Sequence, residues 1–216
     1  MTGKGPAGSA VMRKPGAIFT ASPKLEMDKT GIRREFWERR NRLDRGSIDE
    51  LQRRLIANLD GIDFPSVQVL HRYLADPRGG EPDPGPVAGH LSSLNPGMVQ
   101  VLPRVVDGNP QMQSVLFDDK TELMENRWGI PEPSNGVTVE HQSIDLVLVP
   151  LLAFDREGHR VGHGKGYYDA FLKTCRRDCL KVGLSLFEPV DRIEDAGDHD
   201  VRLDLCITPY RVYEFH

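Results

Sequence analysis

Ile144-Asp-Leu-Val-Leu-Val-Pro-Leu-Leu152 is apolar almost without interruption. A strand with one wet face alternates polar and apolar residues. A short unbroken run bounded by turn residues marks a strand covered on both sides, as in the centre of a parallel sheet. Downstream, Ala153–Phe154–Asp155 leads into Gly158-His-Arg-Val-Gly-His-Gly-Lys-Gly-Tyr-Tyr-Asp169. Tyr168, Phe171, Leu172 and Cys175 then recur at helical spacing, which predicts a helix. Leu180–Leu186 and Val201–Ile207 read as two further strands, the last ended by Thr208–Pro209.

Upstream the pattern is similar. Ile32, Phe36, Arg40 and Leu43 share one side of a helix that starts at Lys29 and breaks at Arg45–Gly46. Ser47 with Glu50 three residues later predicts a capping box for a second helix, whose stripe is Leu51, Leu55, Ile56 and Leu59. A strand over Val67–Leu74, a Gly/Pro-rich loop over 76–86 and a helix over Val87–Leu94 follow. Next come a strand over Val99–Leu102 ended by Pro103, an edge strand over Met112–Phe117, and a rigid non-helical segment over Gly129–Pro133. Alternation of strand and helix predicts an α/β protein. The expected form is a three-layer sandwich with a mostly parallel central sheet, Rossmann-like.

Residues 1–26 are rich in Gly, Pro, Ser and Ala without a period, and read as a disordered tail before one domain over 27–216. The formal net charge of the 216-residue chain is -4, with no basic stripe, so neither nucleic acid nor membrane is expected as a partner. A monomer is expected. The three cysteines (Cys175, Cys179 and Cys206) are too few and odd in number for a disulfide framework. No secretory signal and no membrane-length apolar run is legible, so the expected location is cytoplasmic.

The loop between the buried strand and the helix lies where ligands bind in open α/β sheets. Alternating glycines let backbone amides approach an anion, and Arg160, Lys165 and His163 add charge and donors. No Lys-Ser or Lys-Thr pair follows the glycines, so it is not a Walker loop, and its spacing is not the dinucleotide one. Chemistry alone reads it as a phosphate-binding loop.

The stretch LVPLLAFDREGHRVGHGKGYYDAFL resembles the signature of the 5-formyltetrahydrofolate cyclo-ligase family, also called methenyltetrahydrofolate synthetases. Further similarities follow in the family's order: Lys29-x-x-Ile32-Arg33, Glu81, Leu102–Pro103, Trp128 to Pro133, Val182–Gly183–Leu184, His199–Asp200 and Leu203–Asp204. Pro84 stands where the family often has Thr. His163 replaces a common Arg, and Glu188–Pro189 occupies the region of a frequent Gln.

The resemblance implies an ATP- and Mg²⁺-dependent enzyme that cyclises 5-formyltetrahydrofolate to 5,10-methenyltetrahydrofolate. Arg160, Lys165 and Tyr167 would be catalytic. Lys29, Arg33, Arg160, Gly162, His163, Gly164, Lys165, Gly166, Tyr167 and Tyr168 would contact ATP. Leu74, Glu81, Trp128, His163, Gly164, Lys165, Gly166 and Tyr167 would contact the folate. Asp169 and Asp200 would hold Mg²⁺. Of the two tyrosines, Tyr167 is expected at the ligand, because Tyr168 fits the apolar stripe. The alternatives are a folate- or nucleotide-binding homologue without turnover, and a small-molecule kinase or sugar-phosphate enzyme on a related scaffold.

Overall fold

Residues 26–76, 80–106 and 111–215 are described by a computed structural model. All of the expected tail but Glu26 lies outside them. In chain order the elements begin with β1 (Glu26–Met27), α1 (Lys29–Asn41), α2 (Arg45–Ala57), β2 (Val69–His71) and α3 (Gly85–Leu94). Then come β3 (Val99–Val106), β4 (Gln111–Phe117), β5 (Leu123–Glu125), β6 (Pro131–Pro133), β7 (Thr138–Val139) and β8 (Leu146–Val149). The chain continues through β9 (Ala153–Phe154), β10 (Arg160–Val161), α4 (Tyr167–Leu172), β11 (Leu180–Leu184), β12 (Arg192–Ile193), β13 (Leu205–Ile207) and β14 (Val212–Glu214).

Eight strands form the main sheet, in the order β14-β13-β11-β8-β2-β3-β4-β7. The run from β13 to β3 is parallel, and antiparallel strands flank it on both sides. As the apolar run predicts, β8 lies inside the parallel part and all four of its residues are buried. Leu146 and Leu148 point to one face, where Leu55 and Leu59 of the α2 region and Val87 and Leu91 of α3 cover them. Val147 and Val149 point to the other, against Phe171 and Leu172 of α4. Helices on both faces make this the expected three-layer α/β sandwich. Each such leucine contributes roughly 1.5–3 kcal/mol by leaving water. A third cluster joins Ile32 and Phe36 of α1 to Leu152, Ala153 and Val161, which fixes α1 on the β9–β10 hairpin.

Several boundaries differ from expectation, each for a local reason. The cap of α2 is Asp44, whose carboxylate accepts from Ser47 N–H at 2.7 Å, so Arg45 and Gly46 begin the helix rather than separate two. Pro103 does not end β3, which runs on to Val106. Val99 N–H and the Val101 carbonyl face β2; by alternation the Pro103 nitrogen faces the same side, past the end of β2, where no ladder bond is lost. β4 is not the edge, because the two-residue β7 pairs beyond it. The rigid Gly129–Pro133 segment includes β6, which pairs with β5.

The helix after the glycine loop is only six residues long and stops before Cys175. Thr174 Oγ1 donates to the Phe171 carbonyl at 2.6 Å, and Thr174 N–H takes the same oxygen at 2.9 Å, which tightens and ends the turn. The last expected strand shrinks to Leu205–Ile207. The backbone before it bonds elsewhere: Leu203 N–H to Gly158 O, and Asp204 N–H to Lys181 O. No helix among the described residues is long and apolar enough to cross a membrane.

Candidate active site

A cavity of about 630 Å³ opens beyond the carboxyl ends of β2 and β8. This is where side chains on connecting segments converge in an open α/β sheet. Asp28 caps α1 by accepting from Gly31 N–H at 2.7 Å. Lys29, Arg33 and Trp37 follow one turn apart and line one wall. The adjoining wall is the loop after the β9–β10 hairpin. Gly164 (φ +82°) and Gly166 (φ +74°) take left-handed conformations there. A Cβ on Gly164 would lie 3.1 Å from the Arg33 guanidinium carbon, so this glycine also lets α1 and the loop approach. Arg33 Nε donates to the Gly162 carbonyl at 3.0 Å.

At the near end, cations and carboxylates alternate. Arg160 is buried and donates to the Val201 carbonyl and, at 2.8 Å, to Asp169 Oδ1. The Val201 N–H donates to the same oxygen at 3.0 Å. Burial pushes the Arg160 pKa down and Asp169 opposes that shift. Lys29 Nζ donates to Asp200 Oδ2 at 2.6 Å, joined by Gly197 N–H at 2.8 Å. Burial alone would raise the Asp200 pKa, but Lys29 and the Gly197 amide bring it below the usual carboxylate value. Lys165 is exposed at the cavity and has no hydrogen-bond or ion-pair partner among the described residues.

No cluster of three His, Cys, Asp or Glu side chains occurs among the described residues. Asp169 Oδ2 and Asp200 Oδ1, however, accept nothing there, and both residues line the cavity. That donor set suits a hard divalent cation completed by ligand oxygens and water.

The far end is mostly apolar and aromatic. Tyr73, Leu74, Pro103, Val105, Trp128 and Ile130 line it. Asn126 Oδ1 accepts from Trp128 N–H at 2.9 Å and Ile130 N–H at 3.2 Å, which sets the Trp128 turn. The Trp128 ring meets Tyr167 edge-on at 5.9 Å, with the Arg127 guanidinium 4.2 Å from its centroid. Glu81 enters from the loop before α3 with its side chain only 7% exposed. His163 Nε2 lies 3.0 Å from Glu81 Oε1, and Asp76 N–H donates to Oε2 at 3.3 Å. Burial alone would raise the Glu81 pKa. The His163 hydrogen bond and the Arg40 charge reverse this, and the net shift is downward.

On the cavity floor the Tyr168 hydroxyl is buried without a hydrogen-bond partner among the described residues, and burial raises its pKa. Its ring meets His71 edge-on at 6.1 Å. Burial lowers the His71 pKa to about 3, so this imidazole is neutral.

The cavity thus gathers every candidate catalytic, ligand-binding and metal residue of the sequence reading, from Lys29 and Arg33 through Leu74, Glu81 and Trp128 to Arg160, Gly162–Asp169 and Asp200. Tyr167 is half-exposed at the Trp128 edge, whereas Tyr168 packs on His71 and Phe171. Cys175 and Cys179 lie beyond the end of α4, not on it, and are free thiols. Sequence reasoning missed Trp37, Tyr73 and Asn126. Trp37 could have been found as the third member of the Lys29, Arg33 row. Tyr73 and Asn126 carry no local signal.

The model of the 5-formyltetrahydrofolate cyclo-ligase family matches residues 26–209. A relative from Schizosaccharomyces pombe, named probable 5-formyltetrahydrofolate cyclo-ligase, is 31% identical over 51% of this chain and 61% of its own length. The Mus musculus 5-formyltetrahydrofolate cyclo-ligase is 35% identical over 50% of this chain and 59% of its own. The chain therefore spans about three fifths of the length of these curated relatives. An Aquifex aeolicus 5,10-methenyltetrahydrofolate synthetase structure superposes with a TM-score of 0.71 at 28% identity, over 87% of this chain and 93% of that one. A Mycoplasma pneumoniae 5,10-methenyltetrahydrofolate synthetase superposes with a TM-score of 0.65 at 25% identity, covering 85% and 99%.

Proposed function

The chain belongs to the 5-formyltetrahydrofolate cyclo-ligase family, and from that membership we propose that residues 27–216 convert 5-formyltetrahydrofolate and ATP to 5,10-methenyltetrahydrofolate, ADP and phosphate. One observation carries the reading. A paired cation–carboxylate end and an aromatic end with a buried carboxylate share a single cavity, as a nucleotide and a pterin bound side by side require.

A formyl oxygen on nitrogen is a weak nucleophile and a poor leaving group. Transfer of the γ-phosphoryl group to that oxygen, with ADP leaving, makes it a good one. N10 then attacks the formyl carbon, the five-membered ring closes, and phosphate departs with the oxygen and takes up the proton that N10 gives up. The protein's work is orientation and charge stabilisation. In this reading Lys165 and the loop amides from Gly162 to Gly166 hold the phosphates, with Arg160 behind them. Lys29 and Arg33 extend the cationic wall. Trp128 and Leu74 flank the pterin, Tyr167 sits between the two ligands, and Glu81 accepts from the pterin edge.

Asp169 and Asp200 would hold Mg²⁺ through their unengaged oxygens. When bound, the ion neutralises charge on the phosphate oxygens. The Lys29 ammonium, already on Asp200, keeps that carboxylate ionised and in place before any ligand arrives.

The test is formation of the methenyl chromophore, followed by absorbance, with each of 5-formyltetrahydrofolate, ATP and Mg²⁺ omitted in turn. Product that requires all three is expected. Product without ATP would overturn the mechanism. Binding of both substrates with no product would make the chain a homologue without turnover.

A further inference from the structure

Arg40 does not line the cavity, yet it touches Glu81, which does. It continues the α1 row of Ile32 and Phe36, whose other members are hydrophobic core, and is itself 3% exposed. Its Nη2 donates to the Leu151 carbonyl, and Nη1 lies 3.6 Å from Glu81 Oε1. Nε and Nη1 are buried without a hydrogen-bond partner among the described residues. A buried, incompletely bonded guanidinium is costly, and a methionine or leucine would fill an apolar row without that cost. Fold stability alone therefore does not account for an arginine here.

Glu81 faces Arg40 from α1, His163 from the glycine loop, Tyr73 after β2 and Tyr168 from α4, besides the Asp76 amide. Burial raises the pKa of both phenols, so neither adds a charge. His163 stands at the mouth, 44% exposed, and shares Glu81 Oε1 with Arg40. Among the described residues Arg40 is the buried, permanently charged cation against Glu81.

We propose that Arg40 is a positioning residue: from behind the cavity wall it keeps Glu81 a charged acceptor aimed inward, so that the site selects a ligand edge bearing two adjacent N–H donors. This rests on the folate reading above, where that edge is N3–H and the 2-amino group of the pterin ring. A carboxylate presents two acceptor oxygens to such an edge, whereas a protonated carboxyl presents only one and a competing donor. Glu81 already takes its shift from burial, His163 and Arg40 together. Removing Arg40 leaves burial opposed by an exposed imidazole.

The experiment measures 5-formyltetrahydrofolate affinity across pH without ATP, by tryptophan fluorescence, alongside KM for each substrate. Arg40→Met should weaken folate binding about tenfold or more while KM for ATP stays within about twofold, and should move the acid limb of folate affinity to higher pH. Arg40→Lys, which keeps the charge, should leave that limb near its wild-type position. In a Glu81→Gln background, adding Arg40→Met should weaken folate binding no further. Wild-type affinity and limb in Arg40→Met, or an equal loss in the Glu81→Gln background, would overturn the proposal.

Should Arg40→Met unfold, the double variant decides. A folded double variant shows that the uncompensated carboxylate was the fault and supports the coupling. An unfolded one assigns Arg40 to folding alone and overturns it. A wild-type protein that binds no folate strikes the functional reading instead, and urea unfolding then tests the coupling. Wild-type Glu81, with its lowered pKa, contributes stability above its unfolded value that is lost as pH falls. With Arg40→Met one of the groups opposing burial is gone, so the Glu81 pKa moves up toward its unfolded value and the stability lost on the acid side shrinks. An unchanged slope would overturn the proposal.

Discussion

The two ends of the cavity solve the problem of holding charge near apolar surface in different ways. At the near end each carboxylate has its own cation: Arg160 with Asp169 at 2.8 Å, and Lys29 with Asp200 at 2.6 Å. At the far end one buried carboxylate, Glu81, lies between a buried arginine and an exposed histidine, with aromatic rings around it. The near end is a lattice of small, partly wet pairs that can exchange partners with an incoming polyanion. At the far end Glu81 is buried, so its charge is expensive to uncover and valuable when matched. A partly exposed lattice tolerates ligands of varied shape. A buried acceptor discriminates.

The largest effect is expected at Arg160. Arg160→Ala strips Asp169 of its buried partner and should cost roughly 3 kcal/mol of stability, the low end for a broken buried pair because Asp169 is partly exposed. Urea midpoints at constant m-value measure it, and activity should fall with them. A stable but inactive variant would show that Arg160 serves the ligand and not the loop. Lys165→Ala should do the opposite. The exposed lysine supports nothing in the fold, so Tm should hold while kcat/KM falls by about 2 kcal/mol, the worth of one charge-assisted contact. Unchanged turnover in that variant would place the phosphates elsewhere.

Trp128→Ala should raise KM for folate by about 1 kcal/mol equivalent, the increment of an aromatic contact, and leave KM for ATP alone. A loss shared by both substrates would erase the distinction between the ends. The smallest effect concerns pH. Asp200 has a folded pKa below its unfolded value of about 3.9, so it contributes stability above that pH and loses it as pH falls through the folded value. Asp200→Asn should therefore flatten the acid limb of stability by less than about 1 kcal/mol, since the pair is only partly shielded from water. An unchanged limb would mean that Lys29 and Asp200 do not pair in solution. The same variant should also need more Mg²⁺ for whatever activity remains.

The two ends also differ in how far they can be read from sequence. Arg160, Lys165 and Asp169 of the near end are written within Gly158–Asp169, so glycine spacing and charge announce them before any folding is considered, whereas the Lys29–Asp200 pair joins distant parts of the chain. The far end is assembled from Tyr73, Leu74 and Glu81, from Pro103 and Val105, and from Asn126, Trp128 and Ile130, none of which has a local period pointing at the others. Arg40 is legible as a member of a helical row, but nothing in that row says that its head reaches Glu81. The architecture was readable from the buried run around Leu146 because burial on both faces leaves a direct compositional mark. Strand ends were less so. Val201–Asp204 looks like strand, yet the Val201 N–H and carbonyl serve Asp169 and Arg160 instead of a neighbouring strand. Pro103 bars a central strand only where a neighbour exists to be denied a bond, and β2 has already stopped.

Asp155 sits at the root of the hairpin that carries the glycine loop, fully buried. Its Oδ1 accepts from the amides of Glu157 and His159 at 2.9 Å each, and its Oδ2 from Ile193 N–H at 3.2 Å. Those bonds address backbone, and besides them only the His159 imidazole reaches Oδ2, at 3.2 Å, among the described residues, so the exposed Arg156 and Glu157 can change identity while His159 cannot. The number of residues is not free. An inserted residue would move one amide out of reach of a carboxylate that has no slack, and the hairpin tip would swing with it. The turn should therefore tolerate changes at positions 156 and 157, with Gly158 (φ +85°) and His159 fixed, but only one length. Inserting a single glycine after Glu157 should disturb the active-site loop more than replacing Arg156 and Glu157 together.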